Sequence, residues 1–270
     1  MLASSGAGCA SILQSKAEPD PTAGLPPVRA PLQSVQLELL FVERPVNDPL
    51  LGSPLWSEMD QLAGIPAAER LSLSENGFRV GFCGTEAPAT LAALLAEVGE
   101  DAYDDLAGFL TGRRVVLRRG AMTEVQSTIS PRSWNVELVR GGTPTPARFN
   151  QSRGVFRVEL VDIEDGWADV RITPEVHHGD LKSQPSPGVG GWQIESRQDI
   201  EVLAEAAFQM RLSLGELLVL SADETGTDRL GNQFFRREEK GRLMQRVLVL
   251  RIARIGRGTE SLAAAEPVGF

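Results

Sequence analysis

The feature that most limits what this chain can fold into is the strict alternation in "GVFRVELVDIEDGWADVRITPEV", residues 154–176. Phe156, Val158 and Leu160 alternate with Arg157 and Glu159; Ala168, Val170 and Ile172 alternate with Asp169 and Arg171. A period of two puts one side-chain set on a buried face and the other in water, as in an antiparallel sheet. The "EDG" between the two runs is a tight-turn signal, so they are expected to form a hairpin. "RRVVLRRG", "TEVQSTI", "SWNVELVRGG", "AAFQMRLSLGELLVLSA" and "RLMQRVLVLRIARI" read as further β-segments separated by Gly, Pro and acidic turns. Residues 111–256 are therefore expected to be a β-rich region, with "QDIEVLAEAAFQ" open to being partly helical.

Residues 33–110 read differently. A strand is expected over 34–43, "SVQLELLFVE". Pro54 opens a short helix whose 4,3 spacing would bury Leu55, Met59 and Leu62. A second helix is expected over 67–73 and a strand over 76–84. Thr85 is placed to cap a helix with Pro88 in its first turn and Gly99 at its end, and an acidic helical stretch follows to Leu110. The expected fold class is α+β: a helix-containing N-terminal region followed by a largely antiparallel β-sheet region.

The ends are different again. "MLASSGAGCASILQ" leads small residues into Cys9, which resembles the acylation site of a bacterial lipoprotein, although Gly6 stands where an apolar residue is usual. An ordinary tail is the other reading, since only eight residues precede the cysteine. Residues 17–31 carry five prolines and no hydrophobic periodicity, as an extended spacer does. The expected division is 1–32 as a lipobox-like tether, 33–110 and 111–256 as the folded regions, and 257–270 as a tail. Cys83, in "RVGFCGT", is expected to be a buried small apolar residue.

Charge and motif content narrow the function. The net charge of −9 and pI of about 4.9 argue against nucleic-acid or anionic-membrane surfaces. The two histidines, His177 and His178, are adjacent, so on an extended backbone they face opposite ways and cannot share a metal. With no further histidine to join them, they read as a strand end followed by a "HGD" turn. There is no G-x-S-x-G elbow, and "GVGGW" lacks both the phosphate-loop lysine and the dinucleotide fingerprint, so it reads as a loop. The 36 acids allow many carboxylate pairs and single out none. No catalytic residue, metal or cofactor is expected. Candidate ligand or interaction residues are Trp167 and Trp192, which could stack on a sugar, and Arg113 and Arg114 in "GRRVVLRRG", as a phosphate patch or the polar faces of an edge strand.

The order of the β-segments resembles the core domain of bacterial secretins, the outer-membrane ring proteins of secretion and pilus systems. "VQLELLFVER" is similar to the strand that opens that domain, and "RVVLRRGAMTEVQSTI" to the strand, turn and strand before the gate. The hairpin ending in "TPEVHHGD", the strand pair "FQMRLSLGELLVLSA" and the closing "RLGNQFFRREEKGRLMQRVLVLRIARI" match in order. Where the family has long gate-forming hairpins, this chain has only residues 127–154. The resemblance thus implies a secretin-like scaffold without a working channel. Two function classes follow. One is a non-enzymatic envelope lipoprotein, periplasm-facing or outer-membrane anchored, that self-associates or docks on an envelope assembly and meets the membrane only through Cys9. The other is a carbohydrate-binding or hydrolytic envelope protein with Trp167, Trp192, Asp165 and Asp169 around a cleft.

Overall fold

The computed structural model describes residues 34–96, 110–129, 133–188, 191–223 and 228–256. The chain opens with β1 (Ser34–Pro45), α1 (Ser53–Ser57), α2 (Ala67–Glu75), β2 (Phe78–Cys83) and α3 (Ala89–Ala96). It continues as β3 (Leu110–Arg118), β4 (Met122–Ile129), β5 (Trp134–Arg140), β6 (Thr143–Phe149), β7 (Arg153–Glu164), β8 (Trp167–Gly188) and β9 (Gly191–Val202). A 3-10 turn, Ala204–Ala206, leads into β10 (Phe208–Ser213), β11 (Leu217–Ala222), α4 (Leu230–Phe235), β12 (Arg236–Glu239) and β13 (Arg242–Gly256). The fold is mostly antiparallel β-sheet with few, short helices. No helix among the described residues is long and apolar enough to cross a membrane.

One sheet runs β2-β11-β13-β1-β3 with β12 also on β13, so strands from both sides of Leu110 share it. Its central strands are apolar on both faces, and the two faces feed two cores. Leu37, Leu39, Leu218, Leu220, Leu248 and Leu250 look toward the second sheet. Val42, Leu217, Val219, Val247 and Val249 look the other way, onto Leu55 and Trp56 of α1 and Leu91, Leu94 and Leu95 of α3. The second sheet runs β10-β8-β7-β4 with β9 also on β8. Its share of the apolar core lies on one face, that of Phe156, Val158, Leu160, Val170, Ile172 and Met210, which is why β7 and β8 alternate so cleanly in sequence. The β7–β8 hairpin closes as expected: Glu164 pairs with Trp167 around Asp165 and Gly166, the latter at φ +85°.

Helix α4 lies between the two sheets. Phe234 packs at ring distances of 5.2 Å from both Phe78 and Phe156 and 6.0 Å from Trp134. The stretch "RLGNQFF" resembles a turn in sequence, yet five of its six residues in α4 are buried. It fits because of glycine: a Cβ on Gly231 would stand 1.8 Å from the Gly77 carbonyl oxygen. The β5–β6 hairpin covers the adjacent end of this core with Trp134, Val136, Leu138 and Phe149. The buried Asn76 holds it there, its amide donating to the Val139 carbonyl and its oxygen accepting from the Val139 N–H, both at 3.0 Å.

Several sequence expectations shift for local physical reasons. Leu62 is exposed, because the chain leaves α1 and is pinned to the edge of β2 at Asp60, whose N–H and C=O bridge Phe82. Thr85 does not cap α3; the Glu58 carboxylate accepts from both the N–H and the hydroxyl of Thr90 at 2.9 Å. Gly99 and the acidic stretch before Leu110 lie outside the described residues, and Leu110, expected to end that helix, opens β3.

Candidate functional site

The long strand β8 sets the site. Over residues 167–177 it is flanked by β7 on one edge and by β10 and then β9 on the other. Beyond His177 it has left β7 behind, and residues 182–188 pair with β9 residues 191–197 alone among the described residues. The result is a two-stranded arm of seven pairs, roughly 23 Å long at ~3.3 Å per residue. Ile194 on it is 81% exposed, and Leu181 in the bulge at its root 68%.

His177 and His178 sit at the root of this arm, in mid-strand and not at a strand end. The "HGD" signal is real but marks a bulge: between His178 and Lys182 the register slips, and Gly179 takes φ +77° with its N–H bonded to the Asn150 carbonyl at 2.7 Å. The two rings face opposite ways, as adjacent strand residues must. His178 lies against the Phe149 ring at 4.9 Å. His177 is 3% exposed and its Nε2 stands 3.1 Å from Glu175 Oε2. Arg153 Nη2 stands 3.2 Å from Nδ1, and since an arginine can only donate, Nδ1 accepts and the ring proton is on Nε2, donated to Glu175. Arg157 Nη1 completes the group at 2.9 Å from Glu175 Oε1, close as an ion pair but not aligned as a hydrogen bond.

This cluster ties β7 to β8 where the arm departs. Glu175, also 3% exposed, answers a histidine and an arginine, so the buried charge is compensated. Further out, Lys182 donates to Asp199 at 2.5 Å and holds that exposed carboxyl below its usual range. Gln198 donates to the Gln151 and Gly179 carbonyls at 2.8 and 2.9 Å, clasping the bulge. The arrangement orients an extension; with both partners buried, it offers a reacting molecule no approach.

The other candidates are placed apart. Trp167 begins β8 and lies under the Arg211 guanidinium at 3.5 Å, with Asp169 3.3 Å from the same arginine. Trp192 lies on β9 opposite Pro187, twenty residues of strand from Trp167. The two do not share a cleft. Arg113 and Arg114 lie on β3, the edge of the six-stranded sheet, and diverge: Arg113 donates to the Thr123 hydroxyl and the Glu124 carbonyl, Arg114 to Glu38 Oε1 at 2.7 Å. Cys9 lies outside the described residues. Cys83 is buried, and burial pushes its thiol up to about 11. Among the described residues no group of three His, Cys, Asp or Glu could hold a metal. A cavity of about 380 Å³ beside α2 and β2 is lined by Gln61, Arg70, Ser74, Arg79 and Asp223, and holds neither histidine nor tryptophan.

Sequence reasoning missed the arm because "SQPSPGVGG" carries every loop signal. A finer signal was there: Pro185 and Pro187 are two apart, so both fall on the same edge of a strand. Compared with models of protein families, with curated proteins and with solved structures, the chain matches none.

Proposed function

We propose that this chain is a non-enzymatic scaffold of the bacterial cell envelope, secretin-like in strand order but without a gate, which works by self-association or by docking to an envelope assembly. The observation that carries the reading is the β8–β9 arm. A two-stranded hairpin on its own is marginal in water, and this one leaves the body with Ile194 exposed on it and Leu181 exposed at its root. Such a ribbon gains from a neighbour that adds strands to it. The anchored root supports the same reading, since Glu175, His177, Arg153 and Arg157 fix the direction in which the arm leaves.

The region where the family has its gate is here the β5–β6 hairpin, whose seven-residue strands cover the core; membrane-crossing strands need about 9–11 residues. In this reading Cys9 carries the lipid anchor and the proline-rich stretch before residue 33 spaces the body from the membrane. The sugar-binding alternative loses its cleft, because Trp167 and Trp192 stand at opposite ends of one hairpin.

The test is solution mass by light scattering over a wide concentration range, with negative-stain images and crosslinking in intact envelopes. A defined oligomer or a specific crosslinked envelope partner is expected, and neither should form once residues 180–197 are replaced by a two-residue turn. A monomer without an envelope partner overturns the reading.

A further inference from the structure

We propose that the outer edge of β9 pairs with the β9 of a second copy, antiparallel, about a two-fold axis at Ser196. This rests on the scaffold reading and names its contact. The prolines identify the open edge. Proline has no N–H, so a strand keeps it where no ladder bond is asked of it. Pro185 and Pro187 therefore turn their nitrogens away from β9, toward the edge of β8 that β7 has left. That edge is closed to pairing. Their ladder partners Ile194 and Trp192 sit in non-hydrogen-bonded pairs, so they turn their own N–H and C=O away from β8, and Ser196 does so by alternation. Among the described residues β9 pairs with β8 alone, which leaves this row of donors and acceptors for a new strand.

Three other edges are guarded. β6 carries Pro144 and Pro146. β2 is bridged by Asp60 through both N–H and C=O of Phe82. β3 is lined with arginines. The outer edge of β9 has no proline and, among the described residues, no bridge of this kind.

The occupant follows from the sequence of the edge itself. Antiparallel pairing about Ser196 sets Glu195 opposite Arg197 twice, Ile194 opposite Gln198, Gln193 opposite Asp199 and Trp192 opposite Ile200. Even-numbered positions meet even-numbered ones, as they must if the outward-pointing groups are to bond. The two Glu195–Arg197 positions fall in non-hydrogen-bonded pairs, where side chains come closest, with Cα atoms ~4.5 Å apart. Ile194 and Ile200, exposed at 81% and 45%, become diagonal neighbours across the new ladder. The neighbouring registers are worse: an axis at Glu195 sets Glu195 against itself, and one at Arg197 sets Arg197 against itself and Glu195 against Asp199. An axis at Gln198 pairs Arg197 with Asp199 but sets Glu195 against Glu201, and one at Ile194 forms no opposite-charge pair. An arm of two strands becomes a sheet of four.

The test uses the full chain and reciprocal charge reversal. Glu195→Arg and Arg197→Glu each make the edge repel itself, and each alone is expected to weaken self-association about tenfold or more. Mixed one to one, they form complementary pairs at both positions and regain it, which no partner other than a second copy explains. Ser196→Pro removes an N–H that β8 does not use and is expected to give monomers with unchanged melting. Self-association that survives all three variants, or single variants that fail to recover on mixing, overturns β9 pairing while leaving the scaffold reading in place. A wild-type chain that stays monomeric also overturns the pairing, and the scaffold reading then stands or falls on its envelope partners.

Discussion

Strand β8 lives in two environments, and the contrast between them organises the molecule. Over residues 168–176 its inward side chains Ala168, Val170, Ile172 and Val176 are fully buried and neighbours hold both its edges. Past the bulge it has one neighbour among the described residues, and Lys182, Ser183 and Pro185 face water. In the body, therefore, side-chain burial decides the structure. In the arm, the edge groups of the backbone decide what can happen next. The central strands make the same point from the other side. Glu43, 2% exposed on β1, takes Arg237 Nε at 2.5 Å and Arg246 Nε at 2.9 Å, so charge is admitted to the body only when clamped. The hydrogen bond to Glu43 raises the affinity of Arg237 for its proton.

The largest effect that would sharpen this contrast comes from Phe234→Ala. Its ring touches Phe78, Phe156 and Trp134 at the meeting point of the sheets, and its loss should cost about 3–5 kcal/mol, read as a lower urea midpoint. Replacing residues 180–197 by a short turn should leave that midpoint nearly unchanged at concentrations where the chain is monomeric. If both changes cost the same, arm and body are one cooperative unit. Glu43→Gln comes next. It leaves two arginines facing a neutral group in a nearly dry site and should cost roughly 3 kcal/mol, with the whole transition moving as one.

Glu175→Gln acts at the boundary and should cost less, about 1–2 kcal/mol, because Gln can still accept from His177 while Arg157 loses its counter-charge. Its signature is local. Amide exchange should quicken over residues 182–197 with little change in β11 and β13, where apolar contacts cover both faces. Uniform quickening would mean that the cluster supports the body and does not set the arm.

The two regions were not equally legible. Alternation gave the β7–β8 hairpin and its turn outright, because one buried face writes itself into every second residue. It gave β1 as well, while the edge position of "GRRVVLRRG" is only one of two readings of its arginines. It could not give α4: "RLGNQFF" has no period to read, and its place depends on a Gly231–Gly77 approach that forms only when distant segments meet. Nor could it give Leu62, whose exposure follows from the Asp60 bridge to β2. At the candidate site the residue types were visible and their grouping was not. His177 and Glu175 share a face by strand parity, but Arg153 and Arg157 join them only through the β7–β8 register. The arm was misread because proline, glycine and serine signal an absent partner on one side of a strand as readily as they signal a loop.

The smallest effect, in energy, separates the regions most directly. In a Cys9→Ser background Cys83 is the sole thiol, buried in the layer between α3 and the six-stranded sheet. Burial pushes it up to about 11, so at pH 8 its thiolate is ~100-fold scarcer than that of an exposed cysteine, and access is closed as well. An alkylating reagent should therefore modify it only as the body unfolds, at a rate that rises with urea through the main transition. A thiol introduced by Leu181→Cys, at a position 68% exposed in the bulge, should react at once in the folded chain. The ratio of the two rates reports how far the arm stands clear of the body. A ratio near one, with both thiols protected, would place the arm against a surface of its own chain, and the edge of β9 would then be satisfied from within.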